Sequence, residues 1–141
     1  MITKIRLIAI GKIKENYIRE GINEYLKRLN PFCKIEVIEL KDEGPEKEAK
    51  KIENYLDAQS YLLDSKGAEF SSEDFASFLK KSEGTLTFFI GGPEGISGEI
   101  KRKCKKISLS RMTFLHEMCR LFLLEQIYRA YTIIHNRNYH K

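Results

Sequence analysis

The chain has 141 residues, 42% of them hydrophobic and 32% charged, so we expect a single globular domain, residues 1–141, with a proper core. Its net charge of +5 and pI near 9.0 are compatible with an RNA or DNA partner, but equally with a merely solvated basic surface. No apolar run reaches bilayer length and no cleavable signal pattern opens the chain, which indicates a cytoplasmic protein without membrane association. The three cysteines form no C-x-x-C pair, so we expect no disulfide framework.

Strand and helix patterns alternate through the first half of the chain. Ile2–Ile10 is rich in β-forming residues, and apolar residues at helical spacing then run through Tyr17–Leu29. Lys34–Leu40 is predicted as a second strand, and a helix follows around Glu46–Ala58. The pattern is typical of strand–helix–strand units.

The second half continues this alternation. Tyr61–Leu63 is a short apolar strand, and an S-x-x-D capping box at 71–74 predicts the start of a helix. Thr85–Ile90 is the next strand, and a helix then runs to Lys106 from a cap at position 97 or 98. We therefore expect an α/β fold with a mostly parallel sheet that is covered by helices on both faces.

The last predicted helix, about Thr113 to His135, is apolar on nearly every side. A small domain has too little core to bury such a helix, so one side is expected to meet another subunit. Arg120 and Arg129 interrupt this helix, and each must find a carboxylate, a backbone carbonyl or a ligand anion. Glu117 and Glu125 offer the simplest partners.

The strand at Thr85–Ile90 runs directly into the turn Gly91-Gly92-Pro93-Glu94-Gly95. Open α/β sheets bind ligands at the carboxyl ends of their strands, so this turn predicts a ligand site. The turn matches neither the P-loop nor the G-x-G-x-x-G fingerprint, however. A plain tight connection that uses glycine for its backbone freedom is an equally good interpretation of the pattern alone.

Two other clusters give weaker signals. The lysines and Arg102 within residues 101–106 lie beside the glycine turn, but a charge run on a helix is usually a solvated face. His116 and Cys119 share a helical face, yet no set of four ligands at zinc-site spacing can be assembled. We therefore expect no metal.

Four motifs, IGGPEG, SLSRMTFLH, LLEQIYRAY and the final YHK, resemble the bacterial large-subunit ribosomal RNA pseudouridine N3-methyltransferase family (methyltransferase H), of the SPOUT class. The resemblance extends from the first strand to the last residue. It implies a SPOUT-type α/β fold with a C-terminal trefoil knot, a homodimer, and S-adenosylmethionine bound between the knot loops. The implied substrate is a pseudouridine of large-subunit (23S) ribosomal RNA in assembled ribosomes.

The resemblance also implies which residues form the site. The S-adenosylmethionine pocket is expected to comprise Leu63, Gly91, Gly92, Leu109, Ser110, Arg111, Met112, Thr113 and Phe114. Catalysis and RNA binding are carried over to Arg129, Tyr139 and His140. One position departs from the family, because Leu115 stands where proline usually precedes the histidine.

The roles within the catalytic group stay open from sequence. His140 is a candidate acceptor for the N3 proton, because imidazole is largely neutral at neutral pH. Equally, Tyr139 and His140 can stack on or orient the base while water takes the proton, with Arg129 on a phosphate or base carbonyl. A non-catalytic RNA- or ribosome-binding protein and a knotted methyltransferase acting on transfer RNA are the rival functions. As a chain-end segment, Tyr139-His140 is expected to contribute little to packing.

Overall fold

A computed structural model describes residues 1–141 and contains five strands and five α-helices that alternate along the chain. The strands are β1 (Ile2–Ile10), β2 (Lys34–Leu40), β3 (Ser60–Glu69), β4 (Gly84–Ile90) and β5 (Lys105–Ser108). The helices are α1 (Asn16–Leu29), α2 (Pro45–Glu53), α3 (Ser72–Lys81), α4 (Gly98–Lys103) and α5 (His116–Ile134). None of them combines the length and apolar character that crossing a membrane requires.

All the strands pair in parallel, in the order β2-β1-β4-β3-β5. Residues of the central strands alternate between two cores: Leu7 and Phe88 join α1, α3 and α5 on one face, whereas Ile8 and Phe89 join α2 and α4 on the other. Because both faces are covered, these strands are nearly continuous apolar runs. The predicted parallel α/β sheet is confirmed, and the trefoil knot stays a prediction.

Three element boundaries differ from the sequence prediction. The helix expected to reach Lys106 ends at Lys103, and Lys105–Ser108 forms the edge strand β5. Only Ile107 and Ser108 of that strand are buried, so its two lysines hide the apolar pattern. In addition, α2 ends at Glu53, and β3 continues well past Leu63 to Glu69.

The pairing of β3 with β5 contains an excursion. Ile107 is in register with both Leu63 and Ala68, so residues 64–67 leave the ladder and return to it. At Gly67 the two strands approach so closely that a Cβ would lie 2.6 Å from the carbonyl carbon of Lys106. Such contact with backbone cannot be relieved by a side-chain rotation, so glycine is required there.

The two buried charged residues of α5 fix the loop that follows β1. Arg120 donates from Nη1 to Glu39 Oε2 at 2.5 Å and from Nη2 to the Gly11 carbonyl at 3.1 Å. Glu117 Oε1 accepts from the backbone N–H groups of Lys14 and Glu15 at 3.1 and 3.2 Å. The expectation that Glu117 partners Arg120 is therefore wrong, because each residue instead holds part of the β1–α1 connection.

Candidate active site

A cavity of about 760 Å³ lies at the carboxyl end of β4 and beside the point where β3 leaves its ladder with β5. Leu62 and Leu63 contribute the wall from β3, Ile90 and the glycine turn contribute the wall from β4, and the loop between β5 and α5 closes the third side. Its size falls within the range of small-molecule sites, about 300–1,000 Å³. Its position at the strand ends is where open parallel sheets bind ligands.

The glycine turn is held tightly against neighbouring side chains. Gly95 adopts φ +79° and donates its N–H to the Gly92 carbonyl at 3.0 Å. A Cβ at Gly91 would lie 2.9 Å from Ile96 Cγ1, and one at Gly92 would lie 2.9 Å from Ile10 Cγ2. Both glycines are therefore required for packing, and the wall that they give the cavity is backbone alone.

The loop before α5 is braced by its own serines. Ser108 Oγ donates to the Ser110 carbonyl at 2.8 Å, and Ser110 Oγ accepts from the Met112 N–H at 3.0 Å. Leu115 ends the loop with φ −54°, a backbone angle that proline also adopts. The bend therefore forms without the proline that is usual in the family.

Eight of the nine residues predicted for the cofactor line this one cavity. They are Leu63, Gly91, Gly92, Leu109, Ser110, Met112, Thr113 and Phe114. Arg111 does not line it: its side chain is 86% exposed, and its nearest carboxylate is Glu69 at 3.8 Å. The binding role of these residues stays a prediction, but the fold brings together segments that lie far apart in the sequence.

Sequence reasoning gave no site role to several polar residues of the same wall. Asp64, Lys101, His116 and Cys119 all line the cavity. Asp64 was detectable in principle, because it follows Leu63 at the end of the regular part of β3. Burial raises the pKa of the Cys119 thiol, so that side chain acts as a small neutral wall residue.

Arg129, Tyr139 and His140 come together, but none of them lines the 760 Å³ cavity. Glu125 Oε2 accepts from Arg129 Nη2 at 3.0 Å and from the Tyr139 hydroxyl at 2.8 Å. The Arg129 guanidinium lies over the Tyr139 ring, 4.8 Å from its centroid. The tail is thus docked on its own α5, and the expectation of a weakly packed chain end is wrong.

The hydrogen bonds of His140 assign its tautomer. Arg129 Nη1 lies 3.1 Å from His140 Nδ1, and a guanidinium only donates, so Nδ1 accepts. The ring proton is then on Nε2, which lies 2.6 Å from Glu73 Oε1. The hydrogen bond from His140 is the main reason that the pKa of Glu73 is lowered. In this arrangement Arg129 occupies the acceptor nitrogen of the His140 ring.

Tyr139 is held by α1 as well as by α5. Its hydroxyl lies 3.0 Å from the Tyr25 hydroxyl, and its ring meets the Tyr128 ring edge-on with centroids 4.8 Å apart. Burial, followed by the hydrogen bonds to Tyr25 and Glu125, raises the pKa of Tyr139 well above that of a free phenol. The phenol therefore stays protonated and serves as a donor.

A second cavity, of about 340 Å³, connects the two groups of residues. Leu109 and Phe114 line both cavities, and Glu125 lines the second one. The carboxylate that holds Arg129 and Tyr139 therefore lies on the far side of the wall formed by the predicted cofactor loop. The predicted catalytic residues line neither cavity, and Glu125 is what connects Arg129 and Tyr139 to the second one.

Comparisons with known proteins agree with the motifs. A family described as "Predicted SPOUT methyltransferase" matches residues 3–140. A Carboxydothermus hydrogenoformans protein named ribosomal RNA large subunit methyltransferase H is 44% identical, with 98% of this chain and 99% of the relative covered. Proteins of the same name from Acetivibrio thermocellus and a Thermotoga species are 42% and 43% identical, each covered over 99% of its length. The resemblance indicated by the four motifs is confirmed.

Proposed function

The chain belongs to the SPOUT methyltransferase family, and we propose that it methylates N3 of a pseudouridine in large-subunit (23S) ribosomal RNA on assembled ribosomes, with S-adenosylmethionine as donor. One observation carries the proposal. Eight predicted cofactor residues from β3, the glycine turn and the loop before α5 line a single cavity at the strand ends. Because ribosomes are cytoplasmic, the protein is assigned to the cytoplasm.

The lining suits a nucleoside linked to an amino acid. Leu63, Leu109 and Phe114 offer apolar surface for an adenine, and Gly91 and Gly92 offer backbone hydrogen-bonding groups without side chains. When bound, S-adenosylmethionine supplies a methyl group on a positively charged sulfur. The protein has to hold this group in line with the base nitrogen, and such positioning accounts for much of the rate of a two-substrate reaction.

The cluster of Arg129, Tyr139 and His140, docked on α5, supplies the groups that contact RNA. Arg129 carries a charge suited to a phosphate or base carbonyl, and Tyr139 is a protonated donor. His140 Nδ1 can take the N3 proton only after Arg129 withdraws, because the guanidinium now donates to that nitrogen. If His140 only orients the base, the observed arrangement can persist while water accepts the proton.

A homodimer with a shared site would bring the cluster to the cavity. The cluster does not enter the cavity of its own chain, and the cavity region exposes Met112 and Leu115, which are 73% and 53% exposed. On α5, Phe122 and Tyr128 stay partly exposed within one chain. This apolar surface favours a second copy as its partner.

Mixed dimers test the sharing. One inactive variant carries a cofactor-wall change, Gly91→Val, and the other carries Arg129→Ala. If the site is shared, equal mixing after subunit exchange restores about a quarter of the wild-type rate, because half the dimers are mixed and each holds one intact site. If each subunit is self-sufficient, mixing restores nothing.

The overall function is tested by calorimetry with S-adenosylmethionine and by methyl transfer to ribosomes that lack the modification. Donor binding with methylation of the large-subunit RNA supports the proposal. Donor binding with methylation of transfer RNA alone would replace the substrate. Ribosome binding without donor binding would identify a non-catalytic RNA-binding protein.

A further inference from the structure

The wall of the 760 Å³ cavity contains a pair of opposite charges. Asp64 is the only acidic residue of the wall, and Lys101 is its only lysine or arginine. Apart from His116, the other lining residues are apolar or uncharged polar residues. Asp64 Oδ2 and Lys101 Nζ lie 4.0 Å apart. The carboxylate is only 16% exposed, whereas the lysine is 46% exposed.

Local structure fixes the carboxylate of Asp64 more firmly than the pair itself does. Asp64 is the first residue of the excursion from the β3–β5 ladder, and its Oδ1 accepts from the Lys66 N–H at 2.9 Å. That bond orients the side chain and leaves Oδ2 without a hydrogen-bond donor closer than Lys101. At 4.0 Å the ion pair is longer than a hydrogen bond, so both charged groups retain capacity for a ligand.

Lys101 reaches Asp64 from a different element of the fold. It lies on α4, which Ser97 begins by accepting from the Ile100 N–H at 3.3 Å, and Ile100 is completely buried. The backbone of this residue is thus set by the core while its side chain is free to reorient. A fixed anion therefore lies beside an adjustable cation in the cavity wall.

We propose that Asp64 and Lys101 bind the amino-acid end of the methyl donor, with Asp64 on the α-ammonium and Lys101 on the α-carboxylate. This inference rests on the proposed function. An α-amino acid presents one positive and one negative group on adjacent bonds, which complements a carboxylate and an ammonium about 4 Å apart. Binding of this end fixes the direction of the donor, because the rest of the wall contains no full charge.

Calorimetry with two product-like ligands isolates this contact. S-adenosylhomocysteine and 5′-methylthioadenosine are both neutral thioethers, but only the first contains the amino-acid end. Wild-type protein is expected to bind the first at least about ten-fold more tightly. Asp64→Asn, which retains an Oδ1 acceptor for Lys66, and Lys101→Met should each weaken S-adenosylhomocysteine about ten-fold and change 5′-methylthioadenosine by less than about two-fold.

Two further variants provide controls. Lys103→Met makes the same substitution in the same helix, but Lys103 contacts Glu53 and Glu99 rather than the cavity, so both affinities should stay unchanged. Lys101→Arg retains the charge and should recover most of the affinity for S-adenosylhomocysteine. Thermal unfolding of each variant verifies that it is folded.

The outcomes separate this inference from the proposed function. Equal affinity of wild-type protein for the two ligands, or equal weakening of both by Asp64→Asn and Lys101→Met, would overturn the role of the pair while leaving a nucleoside site in place. Loss of discrimination in Lys103→Met would also overturn it, because charge near the cavity would then suffice. Wild-type protein that binds neither ligand would overturn the donor assignment itself.

Discussion

Removal of Tyr139–Lys141 tests whether the docked tail stabilises the fold as well as serving RNA. In the structure Tyr139 packs edge-on against Tyr128 and donates to Glu125, and its hydroxyl also meets that of Tyr25. A variant that ends at Asn138 loses all three contacts. Glu125 retains its hydrogen bond from Arg129 Nη2, and Glu73, which loses His140, is largely exposed, so no buried carboxylate is left without a partner.

The expected loss follows from these contacts. An edge-to-face aromatic pair contributes about 0.5–1.5 kcal/mol and a hydrogen bond to a charged group about 1.5–3 kcal/mol, and neighbouring contributions do not add fully. We expect the truncation to lower the free energy of unfolding by about 2–3 kcal/mol, or the melting temperature by about 6–10 °C in a chain of this size. Tyr139→Phe retains the ring but loses the hydrogen bond to Glu125, and it should cost about 1.5 kcal/mol. His140→Ala should cost less than about 1 kcal/mol, because its partner Glu73 is largely exposed.

Three measurements on the same variants complete the test. Thermal unfolding gives the stability, calorimetry gives the affinity for S-adenosylmethionine, and methyl transfer to ribosomes gives the activity. No tail residue lines the cofactor cavity, so donor affinity should stay within about two-fold while methylation is lost. An unchanged melting temperature in the truncated chain would refute the docked tail, and a ten-fold loss of donor affinity would refute its separation from the cavity.

Three other substitutions or conditions give direct tests. Gly67→Ala should destabilise the protein by about 1–3 kcal/mol in urea unfolding, because the added Cβ meets the β5 backbone. The control Gly98→Ala should change stability by less than about 0.5 kcal/mol, because its Cβ meets only the flexible end of an arginine side chain at 3.4 Å. Equal effects of the two substitutions would contradict the close approach at Gly67. Leu115→Pro should raise stability by about 0.4–1 kcal/mol, because the φ of Leu115 is −54° and proline restricts the unfolded chain. A lower melting temperature in thermal unfolding would refute this expectation. The pKa of Tyr139 is raised in the folded state, so the contribution of this phenol to stability is full below its unfolded pKa of about 10 and falls as pH rises above that value. Tyr139→Phe should therefore make the decline in unfolding free energy between pH 9 and 11 shallower. An unchanged slope would contradict the raised pKa.

Local patterns predicted most of the sheet because its central strands are apolar runs bounded by glycine. The same patterns missed β5, where Lys105 and Lys106 occupy half of a four-residue strand. They also missed the partner of Arg120, since Glu39 lies 81 positions earlier in the chain and only the fold brings it near. Long-range pairs and short edge strands leave no periodic signal in a single sequence.

The sequence predicts the candidate site about as completely as it predicts the fold. Motifs identified the glycine turn and the loop at Leu109–Phe114, because both are contiguous segments. The charged pair of Asp64 and Lys101 was not predicted as a site, since each residue has an ordinary explanation on its own strand or helix. The docking of Tyr139 was missed for another reason: the attraction of a chain end for Tyr25, Tyr128 and Glu125 depends on how α1 and α5 pack together.

The excursion in β3 explains how a chain of this size holds two adjoining cavities. Before it, Leu63 pairs with Ile107; after it, Ala68 pairs with Ile107 again, so the chain gains residues 64–67 without advancing along β5. Asp64 and Ser65 line the 760 Å³ cavity, whereas Phe70, Ser71 and Ser72 line the 340 Å³ cavity. The contact that permits the excursion is the glycine at position 67, so a substitution there should disturb both cavities together rather than either one alone.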